Sequence, residues 1–140
     1  MDLELFPKAG MVKGHVAIAF VLLDTTIDSL RLDAVRLSVR EVRYNGTLVG
    51  YRNSGKELII SRPKERSHSG DTCFLEVAYS CTPRKGIYFQ GWHEGRGTPQ
   101  IWTQGQGIDH RHWIPHQDDQ RDKLTPVSYT HLTLPTICSV

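Results

Sequence analysis

Cys73-Phe74-Leu75-Glu76-Val77-Ala78-Tyr79-Ser80-Cys81 places five residues, Cys73, Leu75, Val77, Tyr79 and Cys81, at a spacing of two. Successive side chains of a strand point to opposite faces, so these five share one face and Glu76 and Ser80 take the other. The stretch reads as a strand lying on a core. Upstream, Val16, Ile18, Phe20 and Leu22 alternate with Ala17, Ala19 and Val21. That pattern is enough for a strand of about eight or nine residues, whose second face is expected to be partly covered as well. Leu58 and Ile60 form a short strand after the turn residues Asn53-Ser54-Gly55. Residues 30–44 alternate less cleanly through Leu32, Val35, Leu37, Val39 and Val42, which predicts a bulge or a strand break near Ala34.

Asn45-Gly46 sits between two such stretches, and both residues tolerate the positive φ of a type I′ hairpin turn. Asn45-Gly46-Thr47 also matches a glycosylation acceptor, although a turn is the plainer reading. Nowhere do apolar residues hold the i, i+3, i+4, i+7 spacing of an amphipathic helix for three turns. The expected fold is all-β, an antiparallel β-sandwich of two packed sheets.

The chain has 140 residues, about one domain's worth, with 39% hydrophobic and 23% charged residues. Neither a disordered nor a collagen-like class fits that composition. Lys+Arg 17 against Asp+Glu 15 leaves a net charge of +2, too balanced for a protein that lives on phosphate backbones, so nucleic acid is not an expected partner. No apolar run approaches the ~18 residues of a membrane-spanning helix, and the first residues lack the basic start and apolar core of a signal peptide.

The three cysteines make no disulfide framework. Cys73 and Cys81 lie about 26 Å apart along one strand at ~3.3 Å per residue, whereas a disulfide needs Cα atoms within about 7 Å. Both are expected as buried thiols.

Chemistry-bearing residues concentrate in Asp109-His110-Arg111-His112-Trp113-Ile114-Pro115-His116-Gln117-Asp118-Asp119. Three imidazoles and a carboxylate are ligands that suit zinc or nickel, which makes His110, His112 and His116 an alternative metal site. Against it, an H-x-H pair on a strand points both rings to one face and leaves His116 beyond a proline. A solvated polar loop is the commoner meaning of such composition. The G-x-S-x-G nucleophile turn and the zinc-peptidase H-E-x-x-H are both missing. Gly91, Gly95 and Gly97 lack the spacing of a phosphate-binding loop. Trp92, Trp102 and Trp113, with Tyr88 and Phe89, form either a sugar-stacking platform or, more plainly, core packing.

Pro99-Gln100-Ile101-Trp102-Thr103-Gln104-Gly105-Gln106, followed by His112-Trp113-Ile114-Pro115 and Asp118-Asp119, resembles the amino-terminal domain of the aminopeptidase N family of zinc metallopeptidases, which also contains leukotriene-A hydrolase. The likeness runs from about Asp2 to Thr125. It implies a saddle-like β-sandwich that sits against a separate catalytic domain, which would be the main partner of this chain and would hold the zinc, the H-E-x-x-H ligands and the G-x-M-E-N motif. By the same resemblance, Gln106 matches a Gln or Glu that helps hold the free α-amino group of a peptide substrate, with Gln104 as a weaker second candidate. An amide oxygen is a suitable acceptor for an ammonium group. Where family members often read Pro-Cys-Phe-Asp, this chain has Pro115-His116-Gln117-Asp118, which leaves the role of His116 open.

Residues 126–140 contain no Asp, Glu, Lys or Arg and resemble the in-frame translation of a sequencing adapter. The expected organisation is therefore a partial amino-terminal β domain over 1–125, clipped at both ends, and a non-native tail over 126–140. As a fragment it is expected to be inert, with no catalytic residue and no cofactor of its own, while its intact parent removes amino-terminal residues from peptides. The competing readings are a stand-alone β-sandwich binding carbohydrate or peptide, and a small His-rich metal-binding protein.

Overall fold

The computed structural model describes residues 1–63, 68–93 and 97–119. Ten strands follow one another among these residues: β1 (Asp2–Phe6), β2 (Met11–Val21), β3 (Ser29–Asp33), β4 (Ser38–Tyr44), β5 (Thr47–Leu48), β6 (Tyr51–Asn53), β7 (Glu57–Ser61), β8 (Thr72–Cys81), β9 (Ile87–Gln90) and β10 (Gln100–Thr103). They form an antiparallel five-stranded sheet in the order β1-β2-β8-β4-β5, a three-stranded sheet β3-β7-β6 and a β9-β10 pair. The all-β expectation holds.

Strand β8 lies at the centre of the larger sheet, and Cys73, Leu75, Val77, Tyr79 and Cys81 are all buried along one face, as their spacing requires. Val12 and Val16 of β2 and Val42 and Tyr44 of β4 extend that face. Leu32 of β3 and Leu58 and Ile60 of β7 come from the smaller sheet and complete one buried cluster, with Ile87 and Trp113. Burying each such aliphatic side chain contributes about 1.5–3 kcal/mol, so the packing of the two inner faces is the main source of stability. Cys73 and Cys81 are buried thiols outside any disulfide, and Cys73 Sγ accepts from the Tyr44 hydroxyl at 3.0 Å.

Residues 34–37 carry the chain from β3 in the smaller sheet to β4 in the larger, with Arg36 at φ 56. This is the break expected near Ala34. A separate irregularity follows, where the β4–β8 register shifts between Val39 and Glu41. Asn45 (φ 47) and Gly46 (φ 80) form the turn between β4 and β5. Asn45 Oδ1 accepts from the Phe74 N–H at 2.8 Å, so this side chain ties the hairpin to β8.

One expectation about β2 needs correction. The strand has 11 residues, and its second face is open: Ala17, Ala19 and Val21 are exposed. Both neighbours of β2, β1 and β8, lie in the same sheet and cover its edges only. Small apolar residues suit either environment, so the alternation could not separate a covered face from an open one. The 126–140 stretch lies outside the described residues.

Candidate functional site

The β9-β10 pair leads directly into the segment that carries the candidate residues. Trp102 stands opposite Tyr88 in the register, and their rings stack at 4.2 Å with an interplanar angle of 19°. Beyond β10, the Gln104 N–H donates to the Gly86 carbonyl at 3.0 Å and holds the chain for one residue more. Gly107, at φ 77, then turns it toward a short 3-10 helix, Asp109–His112. Gln104 and Gln106 are both exposed on this loop. Gln106 makes no hydrogen bond among the described residues.

A network of charges fastens the far side of the loop. The Arg111 guanidinium lies 3.2 Å from Asp33 Oδ1 and 3.1 Å from Asp118 Oδ2, and also donates to the Asp118 carbonyl at 3.1 Å. The Asp118 N–H donates to Asp33 Oδ2 at 3.0 Å, while the Asp33 and His116 main chains exchange hydrogen bonds of 2.8 and 3.2 Å. Charge-assisted, two-armed contacts of this kind fix direction as well as distance. Segment 111–118 is thereby clipped to the end of β3. Asp33 was not among the candidates read from the sequence, and no local pattern marks it as a partner of residues so distant in the chain.

The alternative metal site does not assemble. His110 and His112 sit on a 3-10 turn, where residues two apart are rotated by about 240° and diverge, instead of on a strand where they would share a face. His110 is near His116, with ring centroids 6.4 Å apart. His110 Nδ1 accepts from the Trp113 indole N–H at 3.1 Å. The His116 ring nitrogens face the Ile114 carbonyl at 3.0 Å and Asp118 Oδ1 at 3.4 Å. Burial lowers the His112 pKa, opposed by Asp109 and reinforced by Lys85, Arg111 and Arg36. Among the described residues, no group of three or more His, Cys, Asp or Glu has the arrangement to hold a metal ion.

The tryptophans divide in the same way. Trp113 is a core residue, 6% exposed. Trp92 donates its indole N–H to the Gln100 carbonyl at 2.9 Å, and Trp102 has one face on Tyr88. No pair of them forms a shared open platform: two are spent on packing and anchoring, and the third is already stacked.

A family model described as the peptidase M1 N-terminal domain matches residues 1–125. Among solved structures, yeast LTA4 hydrolase in complex with bestatin is similar at a TM-score of 0.68 and 23% identity, over 84% of this chain and 20% of that one. A two-domain M1 zinc metallopeptidase bound to L-arginine gives a TM-score of 0.62 at 18% identity, over 84% of this chain and 27% of that one. The M1 zinc metallopeptidase of Deinococcus radiodurans bound to a Tyr-Ser-Ala substrate gives 0.59 at 19% identity, over 77% and 25%. No curated protein sequence matches the chain significantly. The chain spans about a fifth to a quarter of the length of these structural relatives. The match over 1–125 and the shared all-β fold identify the chain as a member of the peptidase M1 amino-terminal domain family, the amino-terminal β domain of aminopeptidase N-like zinc metallopeptidases.

Proposed function

We propose that this domain recognises the free amino end of a peptide for a zinc aminopeptidase, with Gln106 accepting hydrogen bonds from the substrate α-ammonium. The chemistry of peptide-bond cleavage, and the zinc that supplies it, belong in this reading to a separate catalytic domain of the same polypeptide. The described residues do not fit a zinc site, and the sequence has no H-E-x-x-H. In this reading the chain on its own is inert toward peptides, and metal analysis after dialysis is expected to find no stoichiometric zinc.

The observation that carries this reading is the state of Gln106. Its side chain is exposed and has no hydrogen-bond partner among the described residues, yet its loop is pinned on both sides, by Gln104 to Gly86 and by Arg111 to Asp33 and Asp118. An unengaged amide on a held loop is suited to bind a ligand without the cost of ordering it first. A purely structural role, bonding to a neighbouring strand, would use the amide within the fold.

Steady-state kinetics of Gln106→Ala in the parent enzyme test the proposal. Losing one hydrogen bond to a charged group, made equally in the ground and transition states, is worth about 1.5–3 kcal/mol, so KM rises and kcat/KM falls roughly ten- to a hundredfold. Gln106→Glu keeps or strengthens binding, because a carboxylate adds charge to the same acceptor geometry. Unchanged constants, normalised to active zinc sites, together with lower stability would overturn the assignment.

A further inference from the structure

Gln106 can direct an ammonium group only if the backbone just before it is held in place. A Cβ built on Gly105 would stand 1.7 Å from His110 Nε2 and 2.1 Å from its Cδ2. The edge of the imidazole thus rests directly on the Gly105 backbone, where a side chain has no room. The ring is itself oriented from behind. The Trp113 indole N–H donates to His110 Nδ1 at 3.1 Å, the two rings meet edge to face at 5.8 Å, and Trp113 is part of the core. The His116 ring is also close, at 6.4 Å between centroids.

We propose that His110 is a positioning residue for Gln106. The buried indole of Trp113 sets the imidazole, the imidazole buttresses Gly105, and Gly105 sets the direction of the side chain that follows it. This rests on the reading of Gln106 as the ammonium acceptor. His110 itself contacts neither the ammonium nor the scissile bond; it acts through the main chain. Without the buttress the loop relaxes toward the space the ring vacates, and a displacement of about 1 Å in a positioning contact is enough to cost up to about a hundredfold.

A double-mutant cycle between His110 and Gln106 in the parent enzyme, read as KM and kcat on a substrate with a free α-amino group, tests the proposal. His110→Ala should raise KM by about fivefold or more while kcat stays within about twofold, because uniform binding is what is lost. In the Gln106→Ala background the same change should leave KM unaltered, since residues acting through one contact are not additive. His110→Asn retains an acceptor for the Trp113 indole but withdraws the ring edge from Gly105. It should reproduce the KM rise at an unchanged melting temperature, and it replaces His110→Ala if that variant does not fold. With Gln106→Ala itself raising KM, equal effects of the His110 variants in both backgrounds, or no effect in either, overturn the positioning role and leave Gln106 as the acceptor. A Gln106→Ala enzyme of unchanged KM overturns the ammonium-binding reading and, with it, this proposal.

Discussion

Gly14 of β2 faces Tyr79 of β8 with no space for a side chain between them: a Cβ at Gly14 would lie 2.4 Å from the Tyr79 Cζ and 2.5 Å from its hydroxyl oxygen. The phenol is fully buried, and its hydroxyl has no hydrogen-bond partner among the described residues. Burial, followed by the nearby Cys81, drives the ionisation of this phenol well above its usual range, so the group is neutral at any working pH.

Two substitutions at this contact should act in opposite directions. Gly14→Ala forces the ring or the strands apart and should cost about 1–3 kcal/mol, the usual range for overpacking a core. Tyr79→Phe removes a buried polar atom that gains nothing in return, and should be neutral or stabilising by up to about 1 kcal/mol. Urea titration of both variants checks the pair. A clear loss of stability in Tyr79→Phe would show that the hydroxyl has a partner.

Arg111 bridges Asp33 and Asp118 while its side chain keeps 20% exposure. Removing it leaves two neighbouring carboxylates uncompensated. Because the cluster is not fully dry, the cost of Arg111→Ala should fall below the 3–5 kcal/mol of a deeply buried pair, at about 2 kcal/mol. Arg111→Lys should recover less than half, since an ammonium cannot reproduce the fork that reaches both carboxylates and the Asp118 carbonyl. Denaturant midpoints of the two variants decide the matter, and full rescue by Lys would mean that charge alone suffices.

His112 makes stability depend on pH in a definite direction. Burial is the largest influence and holds its pKa below the ordinary 6.5. The unfolded chain therefore takes up this proton before the folded one does. As the pH falls through 6.5, stability declines, and the decline from this residue ends once the folded imidazole also protonates. In His112→Gln that contribution disappears, so the difference in unfolding free energy between the parent chain and the variant should narrow or reverse below pH 6.5. A difference independent of pH would contradict the burial argument.

Cys81 is predicted to be unreactive while the fold is intact, because burial pushes its thiol pKa up to about 12 and only the thiolate attacks. Cys73 is fully buried. In a Cys138→Ser chain these two are the remaining thiols, and their labelling by a disulfide reagent at neutral pH should follow the rate of unfolding. Rapid labelling of both without denaturant would show that β8 is open to solvent.

The features legible in the sequence are those governed by near neighbours. Period-two alternation in β8 assigned its buried face residue by residue, and Asn45-Gly46 specified a hairpin because few dipeptides accept positive φ twice in succession. The spacing of Cys73 and Cys81 by itself excludes their disulfide, since an extended chain has a fixed rise per residue. Gln104 and Gln106 are marked in the sequence by family resemblance alone. Nothing in their local pattern separates a ligand-binding amide from an ordinary surface one.

The rest depends on how distant segments meet. The histidine-rich segment reads as a polar loop, with an H-x-H strand pair only in the metal-binding alternative, and the 3-10 turn that it forms sends His110 and His112 in different directions. Arg111 finds Asp33 and Asp118, and the Asp118 N–H reaches Asp33 across 85 residues, only because β3 ends where segment 111–118 returns. The seat of His110 on Gly105 likewise exists only once Trp113 is drawn into the core. Backbone geometry and side-chain periodicity are properties of the chain itself and survive in any context. Which polar groups meet is decided by sheet register and by the closing of the core, and those are properties of the whole fold.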